Sequence, residues 1–342
     1  MLRSPSAFAI RVVSYNVLSS HLASPTHFTT LDPVHLEAST RLSLIFKKLD
    51  EAIGDNTIVC LQEVSHDWAS AFHTWFANRG YHLVTGLYGK KSNGYMGVAV
   101  AYPNQVYETL DMDIARLSDK RIGGWPIMPE TSGVWKGLQS LWNIPKKLIG
   151  VMESPPDHWE TSENRFNILV TATLRDKATG QTFCIGNYHM PCAYYAPMVM
   201  TIHSEMAARH VQDIAGELPF ILAGDWNITP GSATYKLLTT GELSKEDPSY
   251  PSPKHGMTWT PTIQAMRSAY VEFEGSEPDF TNYARIKEED PFIDTLDYIF
   301  LSKEWKVVGV KKIPHRKDAD GPFPNEMEPS DHVLISADLE LW

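Results

Sequence analysis

Short apolar runs bounded by Gly, Pro, Asn or Asp recur along the whole chain, and they restrict it to a fold built largely of β-strands. The spacing predicts strands over 9–17, 57–64, 81–88, 96–103, 167–175, 182–190, 219–227, 296–302, 305–313 and 332–341. "RDKATGQ" (175–181) reads as a hairpin connection whose glycine supplies a positive φ. Helical patterns lie between these runs. One spans 32–53 and opens on Asp32 and Pro33; a second, 66–80, closes on Gly80; a third, 196–218, carries an apolar stripe at helical spacing. Strands mixed with a few helices predict an α/β fold: a four-layer α/β sandwich with two mixed, mainly antiparallel β-sheets packed face to face and flanked by helices.

No internal repeat and no Ser/Gly-rich linker interrupts the pattern, so residues 1–342 are read as one domain. Two stretches fit poorly and are read as insertions or long loops over a cleft. The first, 104–163, contains three tryptophans in "GGWPIMPETSGVWKGLQSLWNIPKKLIGVM" and suits a helix over a core edge, an amphipathic lid or a membrane-surface element. The second, 244–265, is rich in proline.

At 43% hydrophobic and 11% aromatic residues the chain has ample material for a core. Its formal charge of -11 opposes a protein that holds nucleic acid by a broad basic surface. It leaves room for a nuclease whose metal ions neutralise phosphates inside a cleft. Cys60, Cys184 and Cys192 have no CxxC spacing and read as small buried hydrophobes of a reducing compartment. No run is long and apolar enough to span a membrane, and the first strand leaves little room for a cleavable leader. An intracellular, cytoplasmic protein is the expectation.

Polar residues sit where apolar strands end. Asn16 closes the first, Glu63 the second and His189 the strand 182–190; Asp225 and Asn227 close 219–227, and Asp331 and His332 precede the last. Singly, each has a bland explanation: Asn16 and Asn227 as turn formers, Glu63 as a surface residue, His189 as a satisfied core histidine, Asp225 as an Asx-turn residue, Asp331 as a cap. Together they suggest one functional rim, because strand ends of a sandwich converge there. Oxygen donors such as Glu63, Asp225, Asn227 and Asp331 suit Mg²⁺, with Mn²⁺ as a substitute, and no HExxH or Cys/His cluster supports zinc. In extended backbone Asp225 and Asn227 face the same side, a sensible pair for orienting a water. Asp297 lies inside the apolar run "LDYIFLS", where a buried carboxylate needs a partner. His332 is that candidate, with Asp297 accepting its ring N–H; the alternative is an Asp tied to backbone amides.

The series "SYNV", "LQEV", "YHM", "GDWN", "LDYIF" and "SDH", in this order over 16–332, resembles the endonuclease/exonuclease/phosphatase superfamily, the fold of pancreatic deoxyribonuclease. "SAYVEFEGSEPDFTNYARIKEEDPFIDTLDYIFLS" (268–302) is similar to the segment of its deadenylase-like branch, which includes nocturnin, Angel proteins and 2′-phosphodiesterases. The resemblance implies that Glu63 is the principal metal ligand, with Asn16 near the metal and Asp331 supporting it. It implies that Asp225 activates water, Asn227 positions water or phosphate, and His189 and His332, the latter oriented by Asp297, stabilise the transition state. Phe292 would stack on a nucleobase, and Asn164 or Arg165 would contact phosphate near "ENRF". The implied enzyme is a Mg²⁺-dependent phosphodiesterase acting on single-stranded RNA 3′ ends and releasing nucleoside monophosphates. Alternatives are a small nucleotide (NADP or 2′,5′-oligoadenylate) or a lipid headgroup of phosphoinositide or sphingomyelin type. A catalytically dead binding module fits poorly, because each catalytic position is filled. "MPCAYYAP" departs from the branch's polar stretch after the histidine and the 104–163 insertion has no counterpart in it, which bears on poly(A) as substrate.

Overall fold

The computed structural model describes residues 8–128 and 157–342. In chain order its strands begin β1 (Ala9–Asn16), β2 (Thr57–Val64), β3 (Tyr81–Leu87), β4 (Gly97–Pro103), β5 (Tyr107–Arg116), β6 (Ile168–Asp176) and β7 (Thr182–His189). They continue β8 (Phe220–Asp225), β9 (Arg267–Ser268), β10 (Asn282–Ala284), β11 (Phe292–Asp294), β12 (Asp297–Leu301), β13 (Trp305–Val310) and β14 (Ile335–Leu341). The helices are α1 (Ala38–Ala52), α2 (His66–Ala77), α3 (His158–Glu163), α4 (Pro197–Ala215), α5 (Ala233–Thr240) and α6 (Ala269–Glu274).

One sheet has the order β13-β14-β1-β2-β4-β3 and the other β5-β6-β7-β8-β12-β9. Each contains one parallel pair, β1 with β2 and β7 with β8, among antiparallel neighbours. Strand alternation sorts the apolar side chains into layers. Ile10, Val12, Ile58 and Cys60 face Ile185, Ile221, Ala223, Ile299 and Leu301 between the sheets. On the outer face of the first sheet Val13, Tyr15 and Leu61 pack under Ile45, Leu49, Trp68 and Phe72 of α1 and α2. On the outer face of the second, Tyr188, Leu222, Tyr298 and Phe300 meet α4. The expected four-layer sandwich is the observed one. Asp297, on the inner face with Ile299 and Leu301, lies at the open end of the inter-sheet layer.

A polar tie sits just beneath that end. Gln62 of β2 donates to Asn187 of β7 (2.8 Å), and Asn187 donates to the Leu61 and Ala99 carbonyls (2.8 Å each). These bonds tie buried amides across the two sheets and fix the sheets' relative register, although Gln62 Oε1 has no partner among the described residues. Gly224 is equally constrained: a Cβ there would fall 1.8 Å from the Tyr188 carbonyl oxygen, at a φ of 149°. Only glycine lets β8 approach β7 this closely one residue before Asp225.

The structure corrects several sequence expectations. Residues 107–116, placed within the 104–163 insertion, form β5 at the edge of the second sheet. As an edge strand it exposes Glu108, Leu110 and Asp111, so the alternation that marks half-buried strands is blurred. The rest of that stretch ends in α3, and most of its Trp-rich middle lies outside the described residues. The Pro-rich 244–265 stretch is a long irregular segment: Trp259 and Ile263 pack onto the α4 layer, and Thr258, Thr260 and Thr262 line a cavity with Glu205, Arg209 and His210. The pattern at 32–53 divides into a 3₁₀ turn, Pro33–Leu36, and α1, separated by extended Glu37. Cys60 and Cys184 are buried as expected, but Cys192 is exposed.

Candidate active site

Register brings the polar strand ends together. His189 pairs with Asp225, and Asp225 with Asp297, so three adjacent strands place one residue each in a single row. From the facing sheet, β1 ends at Asn16, which pairs with Gln62. Glu63 is the next residue. Simple alternation would turn its side chain outward, but the β2–β4 register shifts between Leu61 and Val64 and Glu63 has φ 59°. This bulge keeps Leu61 and Val64 together in the outer core and re-aims Glu63 into the cleft. A glutamate in the left-handed region is strained, a condition that clusters at functional sites.

The centre of the arrangement is Asp225, 1% exposed. Its Oδ2 accepts from Asn16 Nδ2 at 2.8 Å and lies 3.4 Å from His189 Nε2 and 3.7 Å from His332 Nε2. Asn16 Nδ2 also donates to Glu63 Oε1 (3.2 Å), while its Oδ1 accepts from the Leu18 amide (2.9 Å). The Ser19 amide donates to Glu63 Oε2 at 2.9 Å. Asn16 thus spaces two carboxylates with its NH₂ group, rather than offering its own oxygen to a cation. Asn227 is not in extended backbone as the sequence implied: β8 ends at Asp225, and Asn227 has φ 49°. Its backbone amide donates to Asp225 Oδ1 (2.9 Å), and its Nδ2 to the Met190 carbonyl (3.0 Å).

His332 Nδ1 donates to Asp297 Oδ2 at 2.7 Å. Burial alone would lower the pKa of this imidazole, but the Asp297 and Asp225 carboxylates outweigh it and hold it well above its usual value. Thr281, absent from the sequence prediction, builds the seat for Asp297. Its hydroxyl donates to Asp297 Oδ2 (2.6 Å) and accepts the Leu296 and Asp297 amides (2.9 and 3.0 Å). Asp297 Oδ1 has no partner among the described residues. Asp331 lies to one side, its Oδ1 3.5 Å from Ser330 Oγ and its carbonyl accepting from the Tyr283 amide.

Buried Arg41 was also missed, because a lone arginine in a helical pattern reads as a solvent-facing residue. It donates to the carbonyls of Val17, Leu18 and Pro329, fastening the loop after Asn16 to the loop before His332. Its desolvation lowers its pKa to about 10, which still leaves it a cation at neutral pH. Phe292 is 47% exposed on β11, whose partner β10 bridges to His332 through Asn282. Arg165 donates to the Tyr195 hydroxyl (3.2 Å) and acts electrostatically on Cys192. Cys192 in turn feels Asp225 and Glu63; although the residue as a whole is exposed, protein packed around its sulfur desolvates the thiol and, with those carboxylates, pushes it up to about 11. Asn164 is the C-cap of α3, its amide bonded back to the Glu160 carbonyl (2.9 Å), and no hydrogen bond links it to the carboxylate–histidine cluster.

The donor set fits a divalent cation. Glu63, Asp225 and Asp297 concentrate carboxylates in one buried space, and Asp225, Asp297 and His332 offer ligand-type atoms within 4.8 Å of one another. Both nitrogens of His332 already face carboxylates, so that trio reads as a hydrogen-bond relay. Glu63, which retains a free lone pair on each oxygen beyond the Asn16 and Ser19 bonds, is the better anchor for a hard cation.

The sandwich gathers paired histidines and a carboxylate cluster at one rim, acid–base groups and hard oxygen donors in one buried cleft. The chain belongs to the Endonuclease/Exonuclease/phosphatase family, whose model matches residues 13–332. Among curated proteins it is 24% identical over 404 residues to the CCR4-Not complex 3'-5'-exoribonuclease subunit Ccr4 of Phaeosphaeria nodorum, covering 98% of this chain and 60% of the relative. It is likewise 24% identical to human 2',5'-phosphodiesterase 12, covering 97% of this chain and 51% of that one. The chain therefore spans only about half to three-fifths of the length of these relatives. Among solved structures, ANGEL2, described as a 2',3'-cyclic phosphatase in complex with adenosine-2',3'-vanadate, superposes with a TM-score of 0.72 at 19% identity over 98% of this chain and 96% of that one.

Proposed function

We propose that the protein is a Mg²⁺-dependent phosphodiesterase that removes nucleoside monophosphates from the 3′ end of single-stranded RNA. The observation that carries this reading is the convergence of Glu63, Asn16, His189, Asp225, Asp297 and His332, from both sheets, around one buried cleft. Glu63 would hold the cation, with Asp331 at its margin, and the ion would supply charge neutralisation for the phosphate. Mn²⁺ suits the same oxygen donors.

Asp225 takes the proton of the attacking water. Asn16 Nδ2 and the Asn227 amide each bond one of its oxygens, so its orientation is set before substrate arrives. His332, held as an imidazolium by Asp297, and His189 bring their Nε2 atoms to 3.7 Å and 3.4 Å from Asp225 Oδ2, where both would donate to phosphoryl oxygens of a bound substrate. Phe292 offers an exposed ring on which a base stacks, a contact of about 1–3 kcal/mol that tolerates any base. Arg165 supplies a cation near the cleft mouth.

A second reading, hydrolysis of a small nucleotide such as NADP or 2′,5′-oligoadenylate, draws support from the charge of -11, since a short substrate needs no basic track. A panel of oligoadenylate, mixed RNA, single-stranded DNA, 2′,5′-oligoadenylate, a 2′,3′-cyclic phosphate and NADP decides between the two. Fastest turnover is expected on 3′,5′-linked RNA with release of mononucleotides, abolished by chelator and restored by Mg²⁺. Turnover confined to NADP or the 2′,5′ linkage would replace this reading with the second, and undiminished turnover in chelator would remove the metal from it.

A further inference from the structure

We propose that Tyr88, anchored by Asn167, is a positioning residue that fixes the His189 ring with its proton on Nε2, aimed at Asp225 and the cleft. The inference rests on the hydrolytic reading of the site. The Tyr88 hydroxyl lies 3.2 Å from His189 Nδ1, and Asn167 Nδ2 donates to that hydroxyl (3.3 Å) and to the His189 carbonyl (2.8 Å). The carbonyl only accepts, so the Asn167 amide can present only its NH₂ group to this pair. The Tyr88 oxygen is then an acceptor towards Asn167, and the one partner left for its hydrogen among the described residues is His189 Nδ1. An Nδ1 that accepts leaves the ring proton on Nε2, 3.4 Å from Asp225 Oδ2 and 3.9 Å from Glu63 Oε1.

The opposite tautomer would turn a bare nitrogen lone pair towards two carboxylates. Enclosure, with Glu63 and Asp225 nearby, also raises the pKa of Tyr88 and keeps it a phenol, able to donate. The two histidines beside Asp225 are therefore oriented by different chemistry. His332 rests on a carboxylate, whereas His189 rests on a neutral hydroxyl whose own orientation is set by an amide. Tyr88 follows β3 at the start of the loop leading to β4, and its backbone amide bonds to the Met96 carbonyl.

The test uses the full chain labelled with ¹⁵N-histidine, in wild type, Tyr88→Phe, His189→Ala and the double variant. In two-bond ¹H–¹⁵N spectra, with His189→Ala assigning the resonance, wild type is expected to show an unprotonated, hydrogen-bonded Nδ1 for His189. Tyr88→Phe is expected to lose that signature. On oligoadenylate with Mg²⁺, Tyr88→Phe should lower kcat about tenfold with KM within about twofold, and should have no further effect in the His189→Ala background. A protonated Nδ1 in the wild type overturns the inference, as does an equal loss from Tyr88→Phe when His189 is absent. If His189→Ala turns over like wild type, the catalytic reading of His189 fails, while the spectra still decide what Tyr88 does.

Discussion

Asp297 shows how one side chain can be both a burden on folding and an instrument of chemistry. It is 1% exposed, one oxygen is shared by Thr281 and His332, and the other has no partner. An unsatisfied buried carboxylate oxygen is destabilising, so its retention points to what it does to His332. Asp297→Asn preserves shape but removes the charge that holds the imidazolium. Turnover is expected to fall by about 10²–10⁴ while the melting temperature stays level or rises. Steady-state kinetics beside a thermal melt checks this, and an unchanged kcat contradicts it. Asp297 was legible in sequence because a charge breaks an apolar alternation. Tyr88 and Thr281 were not, since an aromatic at a strand end reads as core and a threonine in a loop reads as nothing in particular. Glu63 was singled out in sequence, but the bulge that aims it into the cleft leaves no trace in hydrophobic pattern.

At the scale of elements, α4 is fastened to the second sheet and to α3 by one buried histidine. His203 Nδ1 meets the Tyr188 hydroxyl (3.0 Å) and Nε2 meets the Ser162 carbonyl (3.1 Å). Burial lowers its pKa to about 4, so the folded state keeps it neutral where the unfolded chain, near 6.5, would take a proton. A depressed histidine pKa means the unfolded state binds more protons in that window. Its contribution is full above pH 6.5 and declines as pH falls towards 4, by on the order of 3 kcal/mol in total. His203→Gln should flatten that part of the stability–pH curve in denaturant titrations; a curve with the wild-type slope contradicts the assignment. Long apolar runs such as α4 and the inner strands were readable in sequence, because the fold buries them on more than one face. The edge strand β5 was not, because its exposed face carries Glu108 and Asp111.

For the whole molecule, the sandwich gathers a cluster of buried carboxylates and histidines at one rim while the net charge stays at -11. Binding is expected to depend on a few local contacts, Phe292 and Arg165 among them, rather than on a long basic surface. The ratio kcat/KM on oligoadenylates should therefore level off after about 3–4 nucleotides. A continued rise with length would reveal an extended track. Among the described residues no helix is long and apolar enough to cross a membrane. The central claim is that two sheets bring Glu63 to a divalent cation beside the Asp225–histidine cluster. The most direct measurement is turnover of Glu63→Ala on oligoadenylate at saturating Mg²⁺, with folding followed by thermal melting. Loss of about three orders of magnitude or more in a folded protein is the predicted result. Wild-type turnover would contradict the account.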